Sequence, residues 1–282
     1  FTGSAEMMSH QAEAQGVIAT DLGGLELDGA VSWQGQQINC EGNVSTEGFN
    51  AGALLGNEKL GVVALTASGE AEIEGKEVNG QADVEIPEMI FNGRAISGIN
   101  AGVIKNGGDV SGHLIIADDT ADAMIDAHMV LAGVDTQLEA TVDIADFTPS
   151  AWGLLPKYSD YVAKGKVDVS STGNDLSNLH GALSLSNLSF ERKDSPGLHL
   201  KSLKVEAEPV HDGTSVYRLK SDLIDGTLRG HFNLKRLPGD LKWMISECVP
   251  ALTNKVERRE AEHGSYAQLD LTLKPDEELV EF

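Results

Sequence analysis

In TQLEATVDI, residues 136–144, Leu138, Ala140, Val142 and Ile144 fall on one phase, and Gln137, Glu139, Thr141 and Asp143 fall on the other. Period-two alternation puts successive side chains on opposite faces of a sheet, so the run reads as a strand with one greasy face and one wet face. The pattern repeats on both sides. Leu183 and Leu185 alternate in GALSLS (181–186), Leu203, Val205 and Ala207 in SLKVEAE (202–208), and Leu228, Gly230, Phe232 and Leu234 in TLRGHFNLK (227–235). Gly, Asn and Asp turns separate the runs, as hairpin connections require. Many such runs in series predict a long antiparallel sheet that is apolar on one side.

Toward the N-terminus the runs shorten but keep their punctuation. Residues 17–90 read as short strands broken by glycine (LGGLELDGAVSW, QQINCEGNVS, LGVVALTA, EAEIEG, VNGQADVEIP), and Pro87 marks an edge or a strand end. Residues 90–147 carry longer strands, with a tight hairpin at Gly107-Gly108. Residues 1–16 have weak periodicity and read as a first strand or a start outside the sheet. Two helical islands interrupt the pattern. TPSAWGLLPKYSDYV begins with Thr148 as N-cap and Pro149 at the first helical position, and predicts a helix near 149–155 that Pro156 ends. In PGDLKWMISECVPAL, Leu241, Met244, Ile245, Cys248 and Val249 form one apolar stripe, which predicts a helix over 239–249 ended by Pro250. Both stripes are expected to plug the sheet. Residues 253–282 begin highly charged and end in another alternating run, YAQLDLTLK.

The charge is uneven. The net charge is −23, with 4 Lys+Arg against 24 Asp+Glu in residues 1–150 and 17 against 20 in residues 151–282. So acidic a surface argues against nucleic acid as a partner and against docking on anionic headgroups through a basic face. It favours solubility in a protein with an exposed apolar surface. The longest weakly polar stretch, Leu60 to Ser68, is too short to cross ~30 Å of hydrocarbon. The chain begins at Phe1 without Met or a signal peptide and ends at Phe282, so a membrane anchor is expected outside this stretch.

The sequence offers little to catalysis or metals. Cys40 and Cys248 make no C-x-x-C motif and are expected as free, buried thiols; a disulfide between them is permitted but not implied. Asp118, Asp119, Asp122, Asp126 and His128 form the densest ligand cluster, yet ADDTADAMIDAH lacks the mid-loop glycine of a calcium loop and reads as a turn entering a strand. The eight histidines show no ligand spacing. No G-x-S-x-G motif occurs. No catalytic, cofactor-binding or metal residue is assigned, and no cofactor is expected.

Order, rather than any single motif, carries a family resemblance. IFNGRAISGINAGVIKNGGDVSGHLIIADDTADAMIDAHMVLAG joins an aromatic strand with Asn-Gly to a G-x-L-x-x-x-D turn and a short D-A-x-x-x-L strand. KVDVSSTGNDLSNLHGALSLSNLSFER follows, with "N-x-x-x-x-L-x-G" and "L-x-L-x-N". SVYRLKSDLIDGTLRGHFNLKRLPGDLKWMISECVPAL closes the series with "L-x-S-D-x-I-D-G-x-L-x-G-x-F" and a helix ending in Pro. Across residues 85–255 this resembles the TamB family of Gram-negative envelope proteins, in the form found in Bacteroidetes, and the broader AsmA-like group. The resemblance implies an all-β fold: an elongated, curled antiparallel sheet, a β-taco or half-pipe, with an apolar groove and two short helices. It divides the chain into a short-strand β segment at 1–84, a TamB-like groove at 85–255, and a charged loop with a final strand at 256–282.

The same resemblance implies a non-enzymatic role in moving phospholipid between inner and outer membranes from the periplasm, linked to outer-membrane protein assembly. An inner-membrane anchor and the contact with an outer-membrane assembly protein are expected outside the fragment. Acyl chains are the expected ligand, lined by Leu138, Val142, Ile144, Val167, Val169, Leu183, Leu185, Leu203, Val205, Leu228, Phe232 and Leu234. Two rivals stand beside it. One is a structural or chaperone-like β-solenoid that binds outer-membrane proteins through strand edges, without lipid. The other is a carbohydrate-active β-solenoid, for which three Trp and four Tyr give little support.

Overall fold

The computed structural model describes residues 2–133, 135–155, 161–173, 180–192, 195–209, 214–231 and 266–274. They form one antiparallel sheet of sixteen strands in which each strand pairs with its neighbour in sequence. The first half contains β1 (Thr2–Met8), β2 (Gln11–Thr20), β3 (Gly23–Gln34), β4 (Gln37–Asn50), β5 (Leu60–Glu74), β6 (Glu77–Phe91), β7 (Arg94–Asn106) and β8 (Asp109–Asp118). The second contains β9 (Ala121–Ala132), β10 (Asp135–Phe147), β11 (Tyr161–Thr172), β12 (His180–Arg192), β13 (Ser195–Pro209), β14 (Ser215–Ser221), β15 (Ile224–His231) and β16 (Tyr266–Leu273). The fold is the antiparallel sheet that the alternation predicts, open and curled as the resemblance implies.

Tight hairpins make this meander possible. Glu74 pairs with Glu77 and Asn106 with Asp109, which leaves two-residue turns at Gly75-Lys76 and Gly107-Gly108. Gly75 (φ 62°) and Gly107 (φ 57°) supply the left-handed conformation that such turns need. The boundary expected at residue 84 falls inside β6, and pairing with β5 and β7 continues through it. Pro87 sits in the interior of this central strand rather than at an edge. The β5–β6 register shifts between Ala64 and Thr66, opposite the 85–88 stretch, so an irregularity in the ladder accommodates the missing N–H.

Helix is scarce. The expected 149–155 helix is a single 3-10 turn, Pro149–Trp152. Gly153 ends it by taking φ 74° and returning its N–H to the carbonyls of Pro149 and Ser150. A second helix, α1 (Ala51–Leu55), was not anticipated; Asn50 caps it through Oδ1, which accepts from Ala53 N at 3.0 Å, and Gly56 closes it at φ 64°. The helix predicted for 239–249 and the residue Cys248 lie outside the described residues.

Among the described residues buried apolar side chains are few: Ala207 and Val216 lie toward one end of the strands, in β13 and β14, and the larger cluster lies at the other end. Ile96 is wholly buried, and Ala121, Val63, Ile99 and Phe49 are nearly so. Trp152 closes this end with its ring centroid 6.2 Å from that of Phe91 and 6.1 Å from that of Phe147. Asn92 Nδ2 donates to the Trp152 carbonyl at 3.1 Å and ties the 3-10 turn to the β6–β7 connection. Of the first apolar island, Trp152 packs against this end of the sheet, while Leu154 and Leu155 stay exposed. Along the remaining strand length the described residues form a single layer. The accessible surface is 18821 Å², whereas a compact chain of this mass exposes about 12,000 Å².

Candidate functional site: an open apolar face

Residues directly opposite one another in an antiparallel ladder share a face, so the register alone traces rows across the sheet. The central row begins Ala5, Ala14, Gly29, Gly42, Gly69, Ala82. It continues through Val103, Gly112, Ala127 and Ala140, then Val169, Leu183, Val205, Leu219, Gly226 and Leu271. Every one of the sixteen strands contributes, and no residue is polar. Apart from Val103 the floor is Ala or Gly in β1–β10, and apart from Gly226 it is Val or Leu from β11 onward.

Two further rows flank it. One includes Leu27, Val44, Val84, Leu114, Ile125, Val142, Val167, Leu185 and Leu203. The other includes Val31, Cys40, Ala71, Gly80, Lys105, Val110, Met129 and Leu138, and later Tyr217, Leu228 and Leu269. With strands about 4.8 Å apart, fifteen spacings give a stripe of roughly 70 Å measured along the sheet.

The sheet curls toward this face. A Cβ at Gly29, Gly42 or Gly69 would stand 3.0–3.1 Å from the carbonyl oxygen of Glu41, Asp28 or Gln81. One at Gly80 or Gly181 would run into the carbonyls of Glu70 and Ser170. Main chains therefore crowd on the apolar side, where only glycine allows the approach. Gly102 on the other face meets only the far ends of the His113 and Asp83 side chains. Exposure separates the faces for small residues, Ala101 and Ala127 being half-buried, but less so for large ones: Val103 is as exposed as Met124 on the opposite face. The face is nonetheless not sealed. Val31, Ile38, Val78 and Val103 on it keep 37–44 % of their surface.

Ten of the twelve residues expected to line a groove are described, and all ten lie on this face and are half-buried. Val142, Val167, Leu185 and Leu203 are consecutive partners across β10–β13. Val169, Leu183 and Val205 are consecutive partners one row over. Leu138 and Leu228 belong to the far row, and Ile144 opposes Ala123 toward the plugged end. Phe232 and Leu234 lie outside the described residues. Sequence reading missed the floor of β1–β10, because alternating Ala and Gly give a weak hydrophobic signal; the phase of the glycines is what marks it. Cys40 is a free thiol on the same face, half-buried rather than buried.

The opposite face is acidic. Glu13, Asp28, Glu41, Glu70 and Asp83 line a shallow recess of about 700 Å³ there, a hollow expected of a sheet that twists as well as curls. None of the ten described groove candidates lines it. The Asp118 cluster of the sequence is dispersed. His128 Nε2 meets Asp109 Oδ1 at 3.2 Å, and Asp118 serves as a structural acceptor. Asp118 takes Ser97 N at 3.0 Å and Thr120 N at 3.0 Å, with Arg94 at 3.5 Å. Burial alone would raise its carboxyl, but the Thr120 and Ser97 hydrogen bonds and the Arg94 guanidinium outweigh that and hold it below the usual range.

Among the described residues no group of three or more His, Cys, Asp or Glu is placed to hold a metal ion. No helix among them is long and apolar enough to cross a membrane. The chain matches no family model, no curated protein and no solved structure.

Proposed function

We propose that this chain is a non-enzymatic, periplasmic segment of a TamB/AsmA-like protein that shields lipid acyl chains on its open apolar face and so conducts phospholipid between inner and outer membranes. The observation that supports this most directly is the row of sixteen apolar residues, one from each strand, on a face left open among the described residues. Domains normally bury such a face against a second layer, and large open apolar patches mark binding sites. A sixteen-carbon chain that buries about half its surface there gains roughly 6 kcal/mol, before the cost of ordering it. Aliphatic and glycine walls give area without directional contacts, which suits a conduit for bulk lipid. Contact with an outer-membrane assembly protein belongs to the same reading.

The test is native mass spectrometry of protein purified from a Gram-negative host, alongside the double variant Val142→Asp/Leu185→Asp. Both side chains are half-buried on the proposed contact face, so the variant is expected to fold and to lose co-purifying phospholipid. A folded wild type without lipid, and unable to bind an aliphatic dye, refutes the conduit. A double variant that keeps its lipid refutes the face assignment. A second reading, a strand-pairing scaffold for outer-membrane proteins, draws on the two edge strands: every described residue of β1 and β16 is exposed. It predicts partner capture with no lipid.

A further inference from the structure

Among the 46 positions of the central row, the Leu138 row and the Val142 row, Lys105 alone is charged. We propose that Lys105 is a headgroup anchor, and that the apolar face takes amphiphiles with an anionic head, a phosphate or a carboxylate, in preference to neutral ones. This rests on the acyl-shielding reading above and narrows its ligand.

The geometry is specific. Lys105 lies near the end of β7, at the lip formed by the β5–β6 and β7–β8 hairpins. Its cross-strand partner is Gly80, which leaves room for the side chain to pass. The ammonium donates to the carbonyl of Val78 at 2.6 Å and to that of Gly107 at 2.9 Å. No described carboxylate lies within ion-pairing distance, whereas Arg94, Lys166, Lys204, Arg218 and Lys274 each have one. Carbonyl dipoles fix the group but leave its unit charge uncancelled, and an ammonium has a third N–H to give.

The surroundings make the exception sharper. Residues 1–150 hold four basic residues against 24 acidic ones, and two of the four, Lys76 and Lys105, sit on this lip. The nearby Glu74, Glu77 and Asp109 belong to the opposite phase of their strands, where Glu74 pairs with Glu77 and Asp109 with Asn106. Val103, two residues along β7 on the same face, is 44 % exposed. A cation and an open aliphatic surface thus stand about 6.7 Å apart along one strand. An amphiphile presents the same pair, an anionic head next to an alkyl tail.

The experiment compares dodecyl phosphate with dodecyl maltoside, each below its micelle-forming concentration, and inorganic phosphate alone. Binding is read by displacement of an aliphatic dye from wild type, Lys105→Gln and Lys105→Arg. A partly exposed ion pair contributes a few-fold, so wild type is expected to favour the phosphate head by about fivefold. Lys105→Gln should bind both probes equally, and Lys105→Arg should keep the preference; a residue that merely clamps two hairpins would not change selectivity between heads. Equal binding of both heads by wild type overturns the anchor, as does a preference that survives in Lys105→Gln. Failure of both dodecyl probes to bind overturns the acyl reading beneath it. Displacement of dodecyl phosphate by millimolar inorganic phosphate, without effect on dodecyl maltoside, assigns the cation to free phosphate and overturns the lipid-head assignment.

Discussion

Asp118→Asn removes one charge from a carboxylate whose side chain is 5 % exposed. Oδ2 accepts from Ser97 N at 3.0 Å and Ser97 Oγ at 3.3 Å. Oδ1 accepts from Thr120 N at 3.0 Å and Thr120 Oγ1 at 2.6 Å, with Arg94 nearby. An amide offers one acceptor oxygen instead of two. Its NH₂ must face either the Ser97 or the Thr120 backbone N–H, and the hydroxyl on that side can turn and accept. The loss is then one charge-assisted backbone hydrogen bond, the charge on the other, and the Arg94 attraction, together about 3 kcal/mol. For a chain of this size that lowers Tm by roughly 6–12 °C. Circular dichroism melts measure the whole, and amide exchange at Ser97 and Thr120 locates it.

The pH dependence has a fixed sign. The folded carboxyl lies below its unfolded value, so its contribution is complete above the unfolded pKa of about 3.9 and fades as pH falls through the folded value. The gap between wild type and Asp118→Asn should therefore be full at neutrality and close below about pH 4. A Tm within about 1 °C of wild type at pH 7, or a gap that persists unchanged in acid, would refute the assignment of this carboxylate as the tie between the β7 entry and the β8–β9 turn.

Other substitutions probe packing and curvature. Ile96→Ala empties a wholly buried site in the small end core and should cost about 3 kcal/mol in urea unfolding; a loss under about 1 kcal/mol would mean that the end plug is not packed. Gly80→Ala drives a Cβ into the Glu70 carbonyl and should cost roughly 2 kcal/mol with a shifted β5–β6 register, checked by melts and backbone chemical shifts. A nearly neutral Gly80→Ala would remove the argument that glycine permits the curl. Gly35→Ala, in an open turn at φ 65° with nothing near the new methyl, serves as the contrast and should cost about 1 kcal/mol.

How far the sequence foretold this molecule follows from signal strength. The phase of TQLEATVDI survives intact: Leu138, Ala140, Val142 and Ile144 share a face with their partners in β9 and β11. Large aliphatic residues at period two left no ambiguity there. The floor of β1–β10 was harder, because Gly42, Gly69 and Gly112 look like turn residues until their register is known. Pro87 was misplaced for a similar reason, since a ladder irregularity between strands has no mark in one strand's sequence. α1 carried a usable signature, Asn50 before it and Gly56 after it, but five residues give little periodicity. Lys105 was invisible as a special residue. Its meaning comes from the face on which it falls, and that depends on the pairing of its neighbours.

Strand order fixes one more property, which concerns length. Because every described strand pairs only with those beside it in the chain, inserting or deleting one hairpin changes no other pairing. Two strands restore the chain direction at the point of insertion and add about 9.6 Å of sheet. A protein built in this way can be lengthened or shortened in fixed increments, with both faces kept continuous and only the small end core around Trp152 to repack. Its span is then a quantity that gene duplication or loss can adjust directly, much as a ruler is cut at its marks.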